Sequence, residues 1–324
     1  MFNLFEKSAI GARLASGLYT LAKDEWGSVD QMRVVQYMAG VLVETYLVFE
    51  DPDQALNAGF TKLCTLLDAE PVLGDLGMNS LPPAHVIDVE TEKGREIARD
   101  VFEENMECAF EFHDLMLTVM HDMIVSWEED GVSRGETLRL LIECMLRCMA
   151  FEIAAQELCD IMIDVNIADQ GWSIGDCVSG LSAISGSRLA LSLNTEFCMM
   201  FRGSELPFHL DQLSTVMTAE AVRLGVPAGS DWRFGLPAND IPPNAPYALI
   251  TDLEPICESF FDTIHLVCEY DQAVACAKAA GRMLAVAAGG ESPEIEPAIA
   301  KPMAMAAITE SYKSVCIDQQ IVAY

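Results

Sequence analysis

Residues 99–134 read RDVFEENMECAFEFHDLMLTVMHDMIVSWEEDGVSR. Two patterns overlap in this stretch. Phe102, Met106, Phe110, His113, Leu117, Met120, Ile124 and Trp127 recur at steps of three and four, the spacing that lines one face of an α-helix. Between the two arginines there is no Lys or Arg at all, yet ten carboxylates: Asp100, Glu103, Glu104, Glu107, Glu111, Asp114, Asp122, Glu128, Glu129 and Asp130. The spacing predicts a helix that packs an apolar stripe inward and turns an acidic side to water.

Outward from this stretch the same grammar repeats. Leu253, Ile256, Phe260, Ile264, Val267, Tyr270 and Val274 form a second helical run. Box-like helix starts recur at Ser28–Gln31, Ser133–Glu136, Ser173–Asp176 and Thr251–Glu254. In each, a hydroxyl can accept from a free amide of the first turn while the acid or amide reaches back. Asp51-Pro52 supplies another start, since proline loses no bond at the first helical position. Period-two patterning is nearly absent, with only residues 86–89 and 248–251 as short candidates. The expected fold is all-α: a multi-helix, bundle-like protein of about eight to ten helices with little or no sheet.

Two segments punctuate the chain. Residues 71–84 hold Pro71, Gly74, Gly77, Pro82 and Pro83; residues 226–246 hold Pro227, Gly229, Gly235, Pro237, Pro242, Pro243 and Pro246. Both read as loops. The expected division is a main helical domain over 1–225 with a loop at 71–84, a Pro-rich loop or linker at 226–246, and a C-terminal helical subdomain over 247–324. Pro302 is expected to delay the last helix to about residue 303. Within the main domain, 138–163 is apolar on several sides, with Arg139, Glu143 and Arg147 as a charge ladder on the remaining stripe, and reads as the central helix. The small residues of 175–190 predict a close helix approach or a kink.

Composition bounds the function. The chain has 324 residues, half of them apolar, with 50 acids against 19 bases and a formal charge of −31. A core is affordable, and the surface repels nucleic acid and anionic lipid while attracting cationic partners. The 11 cysteines include no Cys-x-x-Cys pair, which favours reduced, buried thiols in a cytoplasmic setting. Lys7, Arg13 and Lys23, set against Glu6, make the first stretch slightly basic; a first helix docked on the core is the expectation, not a secretory signal. No uncharged run reaches the ~18 residues of a spanning helix.

Several constellations invite chemical readings. His113-Asp114 and His121-Asp122 lie eight residues apart on the acidic helix. Together with His85 and a distant Asp160 or Asp164, they loosely resemble the His, His-Asp, Asp order of the metal-dependent HD phosphohydrolases. That resemblance implies imidazoles and carboxylates holding ions that activate water against a phosphate. Against it, His113 falls within the apolar stripe, where a core histidine satisfied by a neighbour is expected. Glu258, Asp262, His265 and Glu269 form another stripe, and Asp262-x-x-His265 echoes half of a di-iron motif, but no second copy exists; a solvated face is expected. Phosphate loops, a Gly-x-Ser-x-Gly elbow and zinc spacings are all missing from the sequence.

The leading expectation is therefore a binder, not a catalyst. It is an acidic helical interaction, adaptor or inhibitor protein for a basic protein partner, with DNA mimicry as one form, no cofactor, no direct contact to nucleic acid or membrane, and room for a homo-oligomer. The contact residues are Glu103, Glu104, Glu107, Glu111 and Asp114, with Trp232, Arg233 and Phe234 of the Pro-rich segment as a second contact. The alternatives are an HD-like hydrolase using His85, His113, Asp114, His121 and Asp122, or a structural subunit of a helical assembly.

Overall fold

The computed structural model describes residues 16–18, 20, 30–47, 61–67, 87–105, 109–129, 131–169, 171–193, 208–227, 246–264, 266–289 and 294–322. Among them, regular structure is helical throughout and there is no strand. Nine α-helices follow one another: α1 Gln31–Leu47, α2 Ile87–Asn105, α3 Ala109–Glu129, α4 Arg134–Ile161, α5 Ile174–Ser192, α6 Phe208–Arg223, α7 Pro246–Thr263, α8 Glu269–Ala288 and α9 Pro297–Val322. A π-helical stretch, Met162–Asp169, continues α4, and a short helical segment occupies 61–66. The all-α expectation holds. What remained of period-two patterning, 87–89 and 248–251, is helical.

The chain divides into two compact units, 1–149 and 150–324. The expected break at 226–246 falls, from 228 to 245, outside the described residues, as does the whole of the expected loop at 71–84.

In the first unit α1 packs on α2. Helix α1 begins where Asp30 Oδ1 accepts from the amides of Met32 at 3.0 Å and Arg33 at 3.3 Å, so Asp30 supplies the cap. From Val34 to Val43 every residue of α1 is buried. The crossing is set by reciprocal glycines: a Cβ on Gly40 would collide with the Thr91 carbonyl, and one on Gly94 with the Tyr37 carbonyl. Helix α3 closes this core with Met116, Leu117, Met120, Met123, Ile124 and Trp127, the stripe read from residues 99–134. The window itself is not one helix. It is divided between α2 and α3, with 106–108 outside the described residues.

In the second unit α5 is the central element, not 138–163. Sixteen of its residues, Gly175 to Ala190, are buried, and α7, α8 and α9 all pack against it. Its capping box is formed as expected: Ser173 Oγ accepts from the Asp176 amide at 3.1 Å, and Asp176 Oδ2 accepts from the Ser173 amide at 3.3 Å. Small residues make the approaches. Gly186 faces the Ile308 carbonyl of α9, Gly180 faces Leu253 of α7, and Ser185 Oγ donates to the Ala273 carbonyl of α8 at 2.8 Å. A Cβ on Gly281 of α8 would lie 2.5 Å from the Met217 carbonyl of α6.

Three helix-boundary expectations are corrected. Helix α7 starts at Pro246, so Thr251–Glu254 lies inside it, and Pro255 is accommodated within the helix. Burial of Leu249, Ile250 and Leu253 holds that first part helical where local capping chemistry alone would start it later. The second periodic run is broken between Thr263 and Glu269: Leu253, Cys257 and Phe261 form the buried face, while Val267 is exposed. Pro302 likewise sits inside α9, which begins at Pro297, with Ala300, Lys301, Met303 and Ala304 buried around it.

Overpacking at a backbone–backbone crossing is costly because no flexible side chain can yield. Gly94→Ala is expected to lower unfolding stability by about 2 kcal/mol or more. Gly135→Ala, in α4 where the added methyl meets ordinary space, should raise it by ~0.5 kcal/mol. Urea midpoints followed by circular dichroism compare the two; equal shifts would refute the glycine-crossing account.

Candidate functional site

Helix α3 carries the acidic feature. Asp114, Asp122, Glu128 and Glu129 are all exposed, and at 100° per residue Asp114, Asp122 and Glu129 fall within about 80° of one another. They line the side opposite the buried stripe. Glu103 and Glu104 fall in the final turn of α2 and Glu111 in the first turn of α3. Glu107, His85, Trp232, Arg233 and Phe234 lie outside the described residues.

The ridge is partly neutralised by cations from outside the window. Lys62 Nζ, on the 61–66 segment, donates to Asp114 Oδ1 at 2.5 Å. Arg134 donates to Glu128 Oε2 through Nε at 3.1 Å, and also through Nη2. Burial raises the Asp114 carboxyl's pKa, but Lys62 and His113 outweigh it, so its pKa is net below the ordinary carboxylate value. Asp122 Oδ1 lies 3.0 Å from Nδ1 of the adjacent His121.

His113 sits at the inner edge of this ridge, its side chain 12% exposed. Its Nε2 lies 3.2 Å from the hydroxyl of Tyr46 on α1, with the rings edge to face at 5.4 Å. Its Nδ1 lies 3.4 Å from Asp114 Oδ1. Tyr46, His113, Asp114 and Lys62 thus form a chain from a buried phenol to an exposed ammonium across three elements. Burial raises the Tyr46 hydroxyl's pKa and lowers that of the His113 imidazole, the latter against the opposing pull of Asp114. With Tyr46 wholly buried, the chain has the bond order of a base and its orienting acid but no accessible nucleophile.

Among the described residues no group of three or more His, Cys, Asp and Glu side chains converges on one point. Asp160 accepts from Gln156 at 2.9 Å, and Asp164 is exposed. The other stripe is solvated as expected at Glu258 and Asp262, and Glu258 meets Arg188 Nη2 at 3.0 Å; His265 lies outside the described residues.

Two buried ion clusters escape a reading by periodicity. In the first unit, Arg95 is fully buried and bonds Glu44 at 2.8 Å and Glu92 at 3.1 Å, while Arg99 also meets Glu92 and lies 3.6 Å from Glu44. In the second, Glu152 of α4 meets Lys278 and lies 2.5 Å from Arg282 of α8; Glu220 of α6 lies 2.8 Å from Arg282 and 2.6 Å from Arg223. Burial raises the Glu220 carboxyl's pKa, but Lys278 and Arg223 outweigh it, leaving it below its ordinary value. Lys301 is buried and donates to the Pro227 carbonyl at 2.9 Å. The expected ladder is only half exposed: Arg139 bonds Glu143 at 2.8 Å, whereas Glu143 and Arg147 are themselves buried. The visible signal is Gly followed by Arg within a helix, at 94–95 and 281–282.

Cysteines form no disulfide among the nine described. Burial pushes the Cys159 thiol up to about 11 and Cys177 up to about 12, far from the reactive thiolate range. No described helix is long and apolar enough to cross a membrane. Comparison with protein-family models, with curated proteins and with solved structures gave no match to this chain.

Removing one partner of a buried pair strands the other charge. Glu220→Gln should therefore cost about 3 kcal/mol or more in stability. Glu128→Gln, at a half-exposed pair with Arg134, should cost less than about 1 kcal/mol. Denaturant unfolding of both variants measures the contrast; a small loss at Glu220 would show the cluster to be dispensable.

Proposed function

We propose that this protein is an acidic helical interaction protein that docks a basic protein partner through the exposed side of α3. The observation that carries this reading is the placement of Asp114, Asp122 and Glu129 on one solvent-facing side of a single helix, in a stretch of sequence without a Lys or Arg from 100 to 133. Among the described residues the five cations Arg95, Arg147, Arg188, Lys278 and Lys301 are buried along with seven carboxylates, Glu90, Glu92, Glu143, Glu152, Asp176, Glu220 and Asp271, so the buried charges nearly cancel and the overall balance of −31 is carried by the rest of the chain. A face of this kind steers cationic partners and repels phosphates.

Docking of a basic protein is favoured over imitation of nucleic acid. Mimicry needs charge near the density of a duplex, one per ~1.7 Å of axis. Along α3 the four exposed acids are spread over ~22 Å at 1.5 Å rise, and Lys62 and Arg134 already hold two of them. The adaptor or inhibitor role and the cytoplasmic setting belong to the same reading; the setting is supported by the nine described cysteines, which form no disulfide and of which eight are buried.

The test separates this face from bulk charge. Partners retained from a source lysate at low salt and released at high salt would be identified, and their affinity measured by titration calorimetry. Reversing Asp114, Asp122 and Glu129 to Lys should weaken binding at least tenfold with helix content unchanged. Reversing Asp252, Asp262 and Glu310, exposed residues of the second unit, makes the same change in net charge and should weaken it far less. Equal losses from the two triples would overturn the assignment to α3.

A further inference from the structure

The Tyr46–His113–Asp114–Lys62 chain has a property that the docking reading does not use. Neutral imidazole carries one donor and one acceptor nitrogen. With the proton on Nδ1 facing Asp114 Oδ1 at 3.4 Å, Nε2 accepts from the Tyr46 hydroxyl at 3.2 Å. A second proton makes both nitrogens donors. Nε2 can then no longer accept from the Tyr46 hydroxyl, which is buried. Among the described residues, the groups that face His113 include Tyr46 from α1, Asp114 from its own helix and, through Asp114, Lys62 from the 61–66 segment. Tyr46 lies 67 residues before His113 and Lys62 lies 52 before Asp114, so this chain of contacts ties three pieces of the first unit together.

We propose that His113 is a proton-operated latch: in its neutral form it fastens α1 to α3 through Tyr46, and protonation loosens that fastening. The opposing influences are unequal. Asp114 favours the charged ring, but it is largely exposed and shared with Lys62, whereas the ring itself is mostly enclosed. Burial therefore dominates and lowers the imidazole's pKa. The sign follows from linkage. The unfolded chain takes up this proton near pH 6.5, before the folded chain does, so the stability contributed by neutral His113 is complete above about pH 6.5 and is lost as pH falls from there through the lower folded value.

Two measurements test the latch on the full chain. NMR titration of the His113 ring should give a midpoint below the ordinary value of about 6.5. Tyr46→Phe should move that midpoint upward, because it removes the hydrogen bond made to the neutral form. Thermal midpoints between about pH 7.5 and 5.5 should fall for the wild type and fall at most half as much for His113→Gln, which keeps an acceptor but cannot take the proton. If His113→Gln does not fold, the ring titration of the wild type and of Tyr46→Phe decides the matter. A His113 midpoint at or above about 6.5, or one that Tyr46→Phe leaves in place, would overturn the latch.

Discussion

Two helices bring a backbone against a facing carbonyl this closely only where the residue at the crossing carries no Cβ. Gly40 and Gly94 meet that condition between α1 and α2, and Gly186 and Gly281 meet it in the second unit. The closeness has an electrostatic corollary. At Gly94-Arg95 and Gly281-Arg282 the residue after the glycine is an arginine, and each reaches a glutamate on the helix it crosses, Glu44 or Glu220. Once the backbones are this close the guanidinium is largely enclosed, fully at Arg95 and mostly at Arg282, so it is paired where it lies. The remaining helices build outward from these crossings.

Burying cations in this way has a consequence at the surface. Arginine suits such a site because its planar fork serves two carboxylates at once and it never loses its charge. Arg95 does so with Glu44 and Glu92, and Arg282 with Glu152 and Glu220. The interior thereby draws on a pool of only 19 bases. What faces water on α3 is left to carboxylates, relieved at Asp114 and Glu128 by single cations.

The two units use histidine and serine differently from what a catalytic reading expects. His113 is committed to Tyr46, and the serines of α5 serve contact: Ser185 bonds the Ala273 backbone and Ser173 caps the helix. These polar groups sit where helices meet closely, and each satisfies a backbone or ring atom that packing has removed from solvent. Their density in α5 reflects the need for small side chains in a helix contacted by α6, α7, α8 and α9.

Much was legible in the sequence where the cause is local. The 3.6-residue period from Leu117 to Trp127, the Ser173–Asp176 box, the small residues of 175–190 and the acidic bias all depend on neighbours a turn away, so they can be read from the string. The ends of α7 and α9 could not: Pro255 and Pro302 are held inside helices by burial of residues around them, which outweighs local breaking signals. Nor could the phase of the α7 face, the commitment of His113 to Tyr46 sixty-seven positions earlier, or the partners of Arg95 and Arg282. Periodicity says which side of a helix is buried and is silent on what it is buried against. The sequence by itself determined that this chain is helical and acidic; only the tertiary structure decided which charges face water, because ion pairs between helices are set by where the glycines let them cross.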